Sequence, residues 1–507
     1  MQSSPVRTIG SVTILALVCA FSSACAESKA ETQAQTAQTT SQGAPATSQA
    51  SALPPGTISY AVEKTETVGS IAHRYLPQSS VMLASDLEAQ IRTVNHLPEK
   101  QLYVKKGQTL LIPFTEPQPV AEHSVAMAKD DEVRAIYLTG AMAGSAKGLK
   151  IIQHWHEVGG NAVVFDIKDS DGSLSVAFDH PLAPHNRRAI PNLPKFVRYL
   201  HSMNLHAIAR IALFRDEHIA RDHSELAVQS RSTKQPWREN GKLVWTDTSN
   251  PKVQDYNIAL AKWVAKSGAD EIQFDYVRFP AEGNQSDAKF YFQSAHPDWK
   301  RSDVIADFLD RAYQQLHPEG VLVSLDVFGI MAWQRNVDLA HTGQDIVRMA
   351  KYCDVLSPMI YPSHFFGMDG YAHPGDEPEH FIGTSMDRFE TITAGSGVVL
   401  RPWLQAFAWR TKSYSPEYIL RQVSTSRDRG GIGFLFWNAR NDYAKPYLAM
   451  PTMKEHADKY FGKRPPQVLV ASAKEKSVPN PARRAHQPKA TVKLAKAKRS
   501  SAASVAK

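Results

Sequence analysis

Glu271-Ile272-Gln273-Phe274-Asp275-Tyr276-Val277-Arg278-Phe279-Pro280 is the stretch from which the fold is read. It starts as an apolar strand, alternates in-and-out, and finishes in Asp275, Tyr276 and Arg278 before Pro280 stops it. Polar groups inside an apolar strand are costly unless paired, so ionisable residues gathered at one end mark an end that has a use for them.

Working outward, the same texture recurs. Apolar runs at 134–139, 161–168, 206–213, 271–278, 321–328, 355–361, 399–407 and 431–438 predict eight strands. Helical periodicity fills the intervals at 193–203, 251–266, 303–316, 345–352 and 417–429, several preceded by cap residues such as Asn250, Ser302 and Ser415. Pro251, directly after Asn250, suits a first helical turn. Eight strand–helix repeats in about 330 residues fit a (β/α)8 TIM barrel over 133–462 better than a doubly wound sheet.

That fold makes a demand on the chemistry, because the active face of such a barrel is built at the C-terminal ends of its strands. Asp166, Lys168 and Asp169 close the second strand; Arg215 and Asp216 follow the third; Asp275, Tyr276 and Arg278 close the fourth. Asp326 ends the fifth, Tyr361 the sixth and Gln405 the seventh, while Trp437, Asn438, Asn441 and Asp442 follow the eighth. The pattern predicts a ring of carboxylates in a bowl that also offers aromatic faces.

Other chemistries lose support. No HExxH is present, and His154-Trp155-His156 falls in a helical segment, so no metal and no cofactor is expected. Neither a Gly-x-Ser-x-Gly elbow nor a phosphate-cradling glycine loop occurs, since Gly430-Gly431-Ile432-Gly433 opens a strand. Lys168 could form a Schiff base, although Asp166 and Asp169 beside it favour an ion pair. Seven of the nine tryptophans (Trp237, Trp245, Trp299, Trp333, Trp403, Trp409 and Trp437) fall in loops or near strand ends, where a sugar ring could stack or where a rim merely packs.

Glycoside hydrolysis needs one protonated and one ionised carboxyl flanking a single bond. Asp275 is the candidate nucleophile or base, with Arg278 near enough in sequence to favour its ionised form. Asp326, in an apolar setting that raises a carboxyl pKa, is the candidate acid, and Asp166 is its rival. Lys168, Asp169, Tyr276, Arg278, Tyr361, Gln405, Trp437 and Asn438 are the candidate substrate-binding residues.

The body resembles the bacterial family of glycoside hydrolases of TIM-barrel type that was formerly a domain of unknown function. The motifs that carry the resemblance are Asn161-Ala162-Val163-Val164-Phe165-Asp166-Ile167-Lys168-Asp169 with Gly172, then Phe274 to Pro280, then Ser357-Pro358-Met359-Ile360-Tyr361-Pro362-Ser363-His364, and Gly431-Ile432-Gly433-Phe434-Leu435-Phe436-Trp437-Asn438-Ala439. They span nearly all of 134–450. The resemblance implies a polysaccharide substrate, and its Phe274-Asp275-Tyr276 is similar to the nucleophile position of several retaining glycosidase barrels. Where such enzymes often keep a glutamate acid, at the end of the fifth strand, this chain has Asp326.

Outside the barrel, one early cation (Arg7), an apolar run and small residues before Cys25 read as a signal peptide over 1–25, hence an exported chain of the cell envelope. Small residues before Cys25 also resemble a lipoprotein signal, with Ser22 where that pattern usually has leucine. Two readings stand: lipidation of Cys25 as a membrane anchor, or ordinary cleavage nearby. Residues 26–57, rich in Gln, Thr, Ala and Ser, predict a disordered linker.

From 58 to 114 a small strand–helix–strand unit is expected. Tyr60-Ala61-Val62, Thr67-Val68-Gly69-Ser70-Ile71-Ala72, Asn95 and Lys106-Gly107-Gln108-Thr109-Leu110-Leu111-Ile112-Pro113 resemble a LysM module, which implies binding to peptidoglycan or another N-acetylglucosamine-containing glycan. Thr65 and Glu66 depart from the Gly-Asp the family usually shows, and the middle, 77–92, is longer than usual. A linker over 115–132 leads to the barrel.

The formal net charge of +8 is concentrated in 463–507, where twelve Lys/Arg face the single acid Glu475. The rest of the chain is slightly acidic, so the charge predicts a disordered basic tail and not a nucleic-acid-binding face. Two functional readings remain open at this level, an exported glycosidase held near the wall and a catalytically silent glycan-binding protein, with lyase or transferase chemistry third.

Overall fold

The computed structural model describes residues 56–462 apart from 114, 116–119, 121–124, 126 and 187. The leader with Cys25, nearly all of the 26–57 linker, part of the 115–132 linker and the basic tail therefore lie outside the described residues.

Eight parallel strands close on themselves. They are β1 (Val133–Leu138), β2 (Ala162–Lys168), β3 (His206–Ala212), β4 (Glu271–Asp275), β5 (Leu322–Phe328), β6 (Val355–Met359), β7 in two pieces (Val399–Leu400 and Trp403–Gln405) and β8 (Gly433–Trp437). Each pairs with the next, and β8 returns to β1 with Gly433 opposite Val133. A principal helix follows each strand: α1 (Ala146–Glu157), α2 (Leu193–Ser202), α3 (Pro251–Lys266), α4 (Arg301–Leu316), α5 (Ile346–Met349), α6 (Pro378–Thr393), α7 (Pro416–Asp428) and α8 (Ala444–Glu455). The expected (β/α)8 barrel is the fold of the body.

Local chemistry explains the helix starts. The Asn192, Asn250 and Ser415 side chains accept from the Lys195, Lys252 and Tyr418 amides, and a proline occupies the first turn of α2, α3 and α7. Ser302 is not a cap, because α4 already begins at Arg301 after Lys300.

Two strands are shorter than their apolar runs. Strand β4 ends at Asp275 because Tyr276 turns into the left-handed region, φ 52°. Strand β7 breaks at Pro402, which has no N–H to give to a ladder and uses its carbonyl to accept from Leu435 N at 3.0 Å.

Side-chain alternation sorts the strands into two cores. Outward residues such as Ile272, Phe274, Val323, Leu325 and Val327 pack under the helices. Inward residues Val133, Ala135, Tyr137, Ala162, Val164, Ile208, Trp403 and Leu435 form the barrel's interior. That interior is apolar on β1, β2 and β8 but polar on β4 and β5, where Glu271, Gln273, Asp275, Ser324 and Asp326 point in. At its N-terminal end the fully buried Glu271 accepts from Arg401 Nη1 at 2.8 Å and lies 3.1 Å from His206 Nε2. Burial alone would raise the Glu271 carboxyl, but Arg401 and His206 outweigh it and bring it down to about 2.

Residues 58–112 form a separate small core of Val62, Val68, Ile71, Ala72, Leu87, Ile91, Val104, Leu110 and Ile112. Strand Ile58–Ala61 pairs antiparallel with Thr109–Ile112. Two helices, Val68–Tyr75 and Ala84–Val94, lie between, so the unit is strand–helix–helix–strand. The long middle segment supplies the second helix, which buries Leu87 and Ile91 at i,i+4 spacing. Asn95 ties that helix to the last strand, donating to Leu111 O and accepting from Leu111 N, both at 2.7 Å. Glu66, the residue that departs from the usual pattern, is held by Tyr60 and Arg74. From α2 the buried Lys195 ammonium donates to Leu76 O at 2.8 Å and to Val81 O.

Barrel closure depends on Gly433. Its φ is +76°, and a Cβ there would stand 2.1 Å from the carbonyl oxygen of Val133 on the partner strand. Gly433→Ala is therefore expected to prise the β8–β1 seam and cost about 2–4 kcal/mol in urea unfolding. An unchanged midpoint would show that the seam tolerates a side chain.

Candidate functional site

Arg210, inside the alternating run His206-Ala207-Ile208-Ala209-Arg210 of β3, points into the barrel and is almost fully buried. Its guanidinium gathers the acids of three neighbouring strands. Nη1 donates to Asp166 Oδ1 on β2 at 2.5 Å, and Nη2 to Asp275 Oδ2 at the end of β4 at 2.6 Å. Nε lies 3.2 Å from the same Asp275 oxygen and 3.9 Å from Asp326 Oδ2 on β5. The three acids expected at the ends of the second, fourth and fifth strands thus converge on one cation.

Aromatic residues from the other side of the barrel complete the cluster. Tyr137 OH on β1 donates to Asp166 Oδ2 at 2.5 Å, and Trp403 Nε1 on β7 to Asp326 Oδ1 at 2.6 Å. Tyr137 stacks on Trp437 with ring centroids 4.1 Å apart, and Arg210 lies 5.6 and 5.5 Å from the two ring centres.

Three carboxylates on one cation in a buried site cannot all hold their charge cheaply. Burial raises Asp166 against the pull of Arg210, leaving it at about 7. Burial, and then the charge of Asp275, push Asp326 well above the carboxylate range. Burial thus favours the protonated forms of Asp166 and Asp326. Asp275 keeps 7% of its surface exposed, while Asp166 and Asp326 keep at most 1%, so all three are buried and Asp275 is the least enclosed.

The other residues singled out from sequence divide. Tyr361 borders the cluster; its hydroxyl is raised by burial and then by Asp326 and Asp275. Trp437 is half-buried against Tyr137, and Asp169 is half-buried in the loop above Asp166. Tyr276 is half-buried, with its ring centroid 6.1 Å from that of Trp245.

Gln405 is a brace: its Oε1 accepts from Ser363 N, and its Nε2 donates to Phe407 O and Thr411 Oγ1. Asn438 is another, donating to Ala406 O and Asp442 O.

Two placements correct the sequence reading. Arg278 forms no ion pair with Asp275; it is buried among the rings of Phe328, Trp245 and Tyr276 at 4.4–5.2 Å and donates to Phe279 O. Arg210 takes the part expected of it. Lys168 does not reach the bowl or pair with Asp166 or Asp169. A register slip after Asp166 sets it opposite Ile211, and it is sealed outside the barrel with Asp216 at 2.8 Å, Leu213 O and Asn257.

Arg210 and Tyr137 were the residues missed. The available signal was an arginine in the middle of an apolar strand, which a fold keeps only when something buried pairs with it.

A family model described as "Putative glycosyl hydrolase domain" matches residues 135–443. No curated protein matches. Among solved structures, a hypothetical protein from Ruminiclostridium thermocellum ATCC 27405 is 33% identical, covering 38% of this chain and 97% of that one at a TM-score of 0.33. The glycoside hydrolase domain of PgaB (BpsB) from Bordetella bronchiseptica is 16% identical over 66% and 99%, TM-score 0.47. The glycoside hydrolase domain of PelA from Pseudomonas aeruginosa is 12% identical over 61% and 96%, TM-score 0.36. With the match running through the barrel over more than half of the sequence, the chain belongs to the family described as "Putative glycosyl hydrolase domain".

Proposed function

We propose that the protein is an exported glycoside hydrolase that cuts a cell-envelope or other polysaccharide and is held on peptidoglycan by a LysM module at 58–114. The observation that carries the catalytic part is the convergence of Asp166, Asp275 and Asp326 on Arg210 beneath an aromatic rim. The module reading rests on its motifs, and export and lipidation at Cys25 on the leader alone.

In the proposed mechanism Asp275, the least buried of the three, attacks the anomeric carbon as the glycosidic C–O bond breaks. Asp326, kept protonated by burial and by the Asp275 charge, gives its proton to the departing oxygen. Water then hydrolyses the glycosyl ester, with Asp326 taking a proton back. Both Oδ2 atoms lie within 3.9 Å of one Arg210 nitrogen, which favours the short spacing of about 5 Å used by retaining enzymes. Arg210 is a positioning residue that holds the acids together. Asp166 is the rival acid.

A second reading has one observation in its favour: the Asp275–Arg210 pair could lock a silent barrel that only grips glycan. Asp275→Asn separates the two. Reducing-end release from a glycan panel should fall at least about 100-fold while retention of the full chain on insoluble peptidoglycan persists. Release that survives the substitution, or a wild type that releases nothing, would sink the hydrolase reading.

The raised Asp166 carboxyl has a pH signature. Asp166 sits at about 7 in the folded chain, above its ordinary 3.8, so on raising pH between these values only the unfolded chain releases the proton and folding weakens. The melting temperature of Asp166→Asn relative to wild type should rise from pH 4 to pH 7 and level off above; a constant difference would show that Asp166 is ionised throughout. Arg210→Met should cost about 3–5 kcal/mol by stranding buried acids, as read by urea unfolding at pH 8. A neutral effect would mean that the cluster does not need its cation.

A further inference from the structure

A second concave feature lies on the same face of the barrel. The segment after β6 (362–377) and the segment after β7 (406–415) enclose a cleft of about 420 Å³ whose lining includes Ser363, Phe366, His373, Asp376, Arg410 and Lys412. Its walls are fastened to each other. Asp376 Oδ1 accepts from Lys412 N, Ser413 N and Ser413 Oγ at 2.8–2.9 Å, and Gly375 is packed so closely that a Cβ would stand 2.3 Å from Arg410 O. The brace Gln405 holds both segments, through Ser363 N on one side and Phe407 O and Thr411 Oγ1 on the other.

Exposed rings stand in the lining of the cleft, at Phe366, and beside it, at Trp409. Phe366 is 70% exposed and Trp409 45% exposed, and the Arg410 guanidinium lies 4.9 and 4.4 Å from their ring centres. Arg410 lies in a turn with φ 50°. Among the described residues neither Arg410 nor Lys412 forms an ion pair. Asp376 is the carboxylate of the lining, and one of its oxygens is already occupied by the loop. A guanidinium laid against exposed rings keeps its planar donor edge free, and that edge matches a carboxylate.

A run of aromatic contacts links the carboxylate cluster to the edge of the cleft. From Tyr361 beside Asp326 the rings of His364 and Phe407 follow at 5.3 and 5.7 Å, and Trp409 lies 5.1 Å from His364.

We propose that the cleft between residues 362–377 and 406–415 is a subsite for a carboxylate-bearing sugar, so that the substrate is an acidic glycan recognised by Arg410 and Lys412 against the faces of Phe366 and Trp409. This rests on the hydrolase reading for the orientation of the chain, and not for the binding itself. The acid group can come from a uronic acid or from the lactyl ether of a muramic acid. Aromatic faces take the apolar side of the sugar ring, and the cations discriminate the charge.

The test uses the full chain carrying Asp275→Asn, so that ligands are not consumed, and calorimetric titration with oligouronates, soluble peptidoglycan strands, and carboxyl-reduced forms of each. Acidic ligands are expected to bind roughly 10-fold or more tighter than their reduced counterparts, and Arg410→Ala with Lys412→Ala to erase that preference without lowering the melting temperature. Whichever acidic ligand shows the larger preference names the source. Phe366→Ala should weaken both acidic and reduced ligands, which a purely electrostatic patch would not do. Equal affinity for acidic and reduced forms, or a preference that survives the double substitution, overturns the subsite. Cleavage by the wild type with no charge preference would leave the hydrolase standing without this subsite; charge-dependent binding with no cleavage would leave the subsite standing without the hydrolase.

Discussion

The structure turns on one guanidinium that is almost fully buried inside the barrel. Arg210 is buried within the barrel, and its charge is tolerable only because acids from the strands on both sides supply hydrogen-bonding partners. The same economy constrains those strands. Strand β2 must bring Asp166 inward at the level of Arg210, which its register with β3 achieves, and β4 must stop at Asp275 so that its carboxylate tips toward the same centre. Burial, and a site with three acids to one guanidinium, raise Asp166 and Asp326 above the ordinary carboxylate range.

That shift is what makes the cluster chemically interesting. A carboxyl raised well above its usual range favours its protonated form, and Asp326 stands here beside a second, slightly less buried carboxyl, Asp275. Trp403 and Tyr137 sharpen the arrangement, each fixing one oxygen of an otherwise rotatable carboxyl group. The barrel's other buried ionic group, Glu271 with Arg401 and His206, has cation and acid in better balance and lies at the opposite end, where it lowers the glutamate instead of raising it. Burial raises the carboxyls of both clusters; at Glu271 Arg401 and His206 outweigh it, and at Asp166 and Asp326 Arg210 does not.

Legibility differed from residue to residue. The convergence of Asp166, Asp275 and Asp326 could be anticipated because β-strand ends of a closed barrel face one another, so position along the chain stands in for position in space. The fate of Lys168 could not, because a one-residue slip in the ladder turns its side chain to the helical layer, and slips leave no mark in periodicity. Arg278 was misjudged for a related reason: proximity in sequence to Asp275 was taken for proximity in space, and the left-handed turn at Tyr276 sends the chain elsewhere. Gln405 and Asn438 look like binding residues in a list and act as loop braces in three dimensions, since amides satisfy stray backbone groups as readily as ligands.

By itself, the order of apolar runs and amphipathic intervals determined an eightfold strand–helix repeat, because burial of one face per element leaves a period that survives without coordinates. It likewise determined which acids end their strands. The tertiary structure alone decided which cation they share, which of them is least buried, and that the segments after β6 and β7 enclose a cleft lined in part by Arg410 and Lys412. Those facts depend on distances between residues tens of positions apart, set by register, barrel closure and loop packing, and such distances are not a property of any local stretch of sequence.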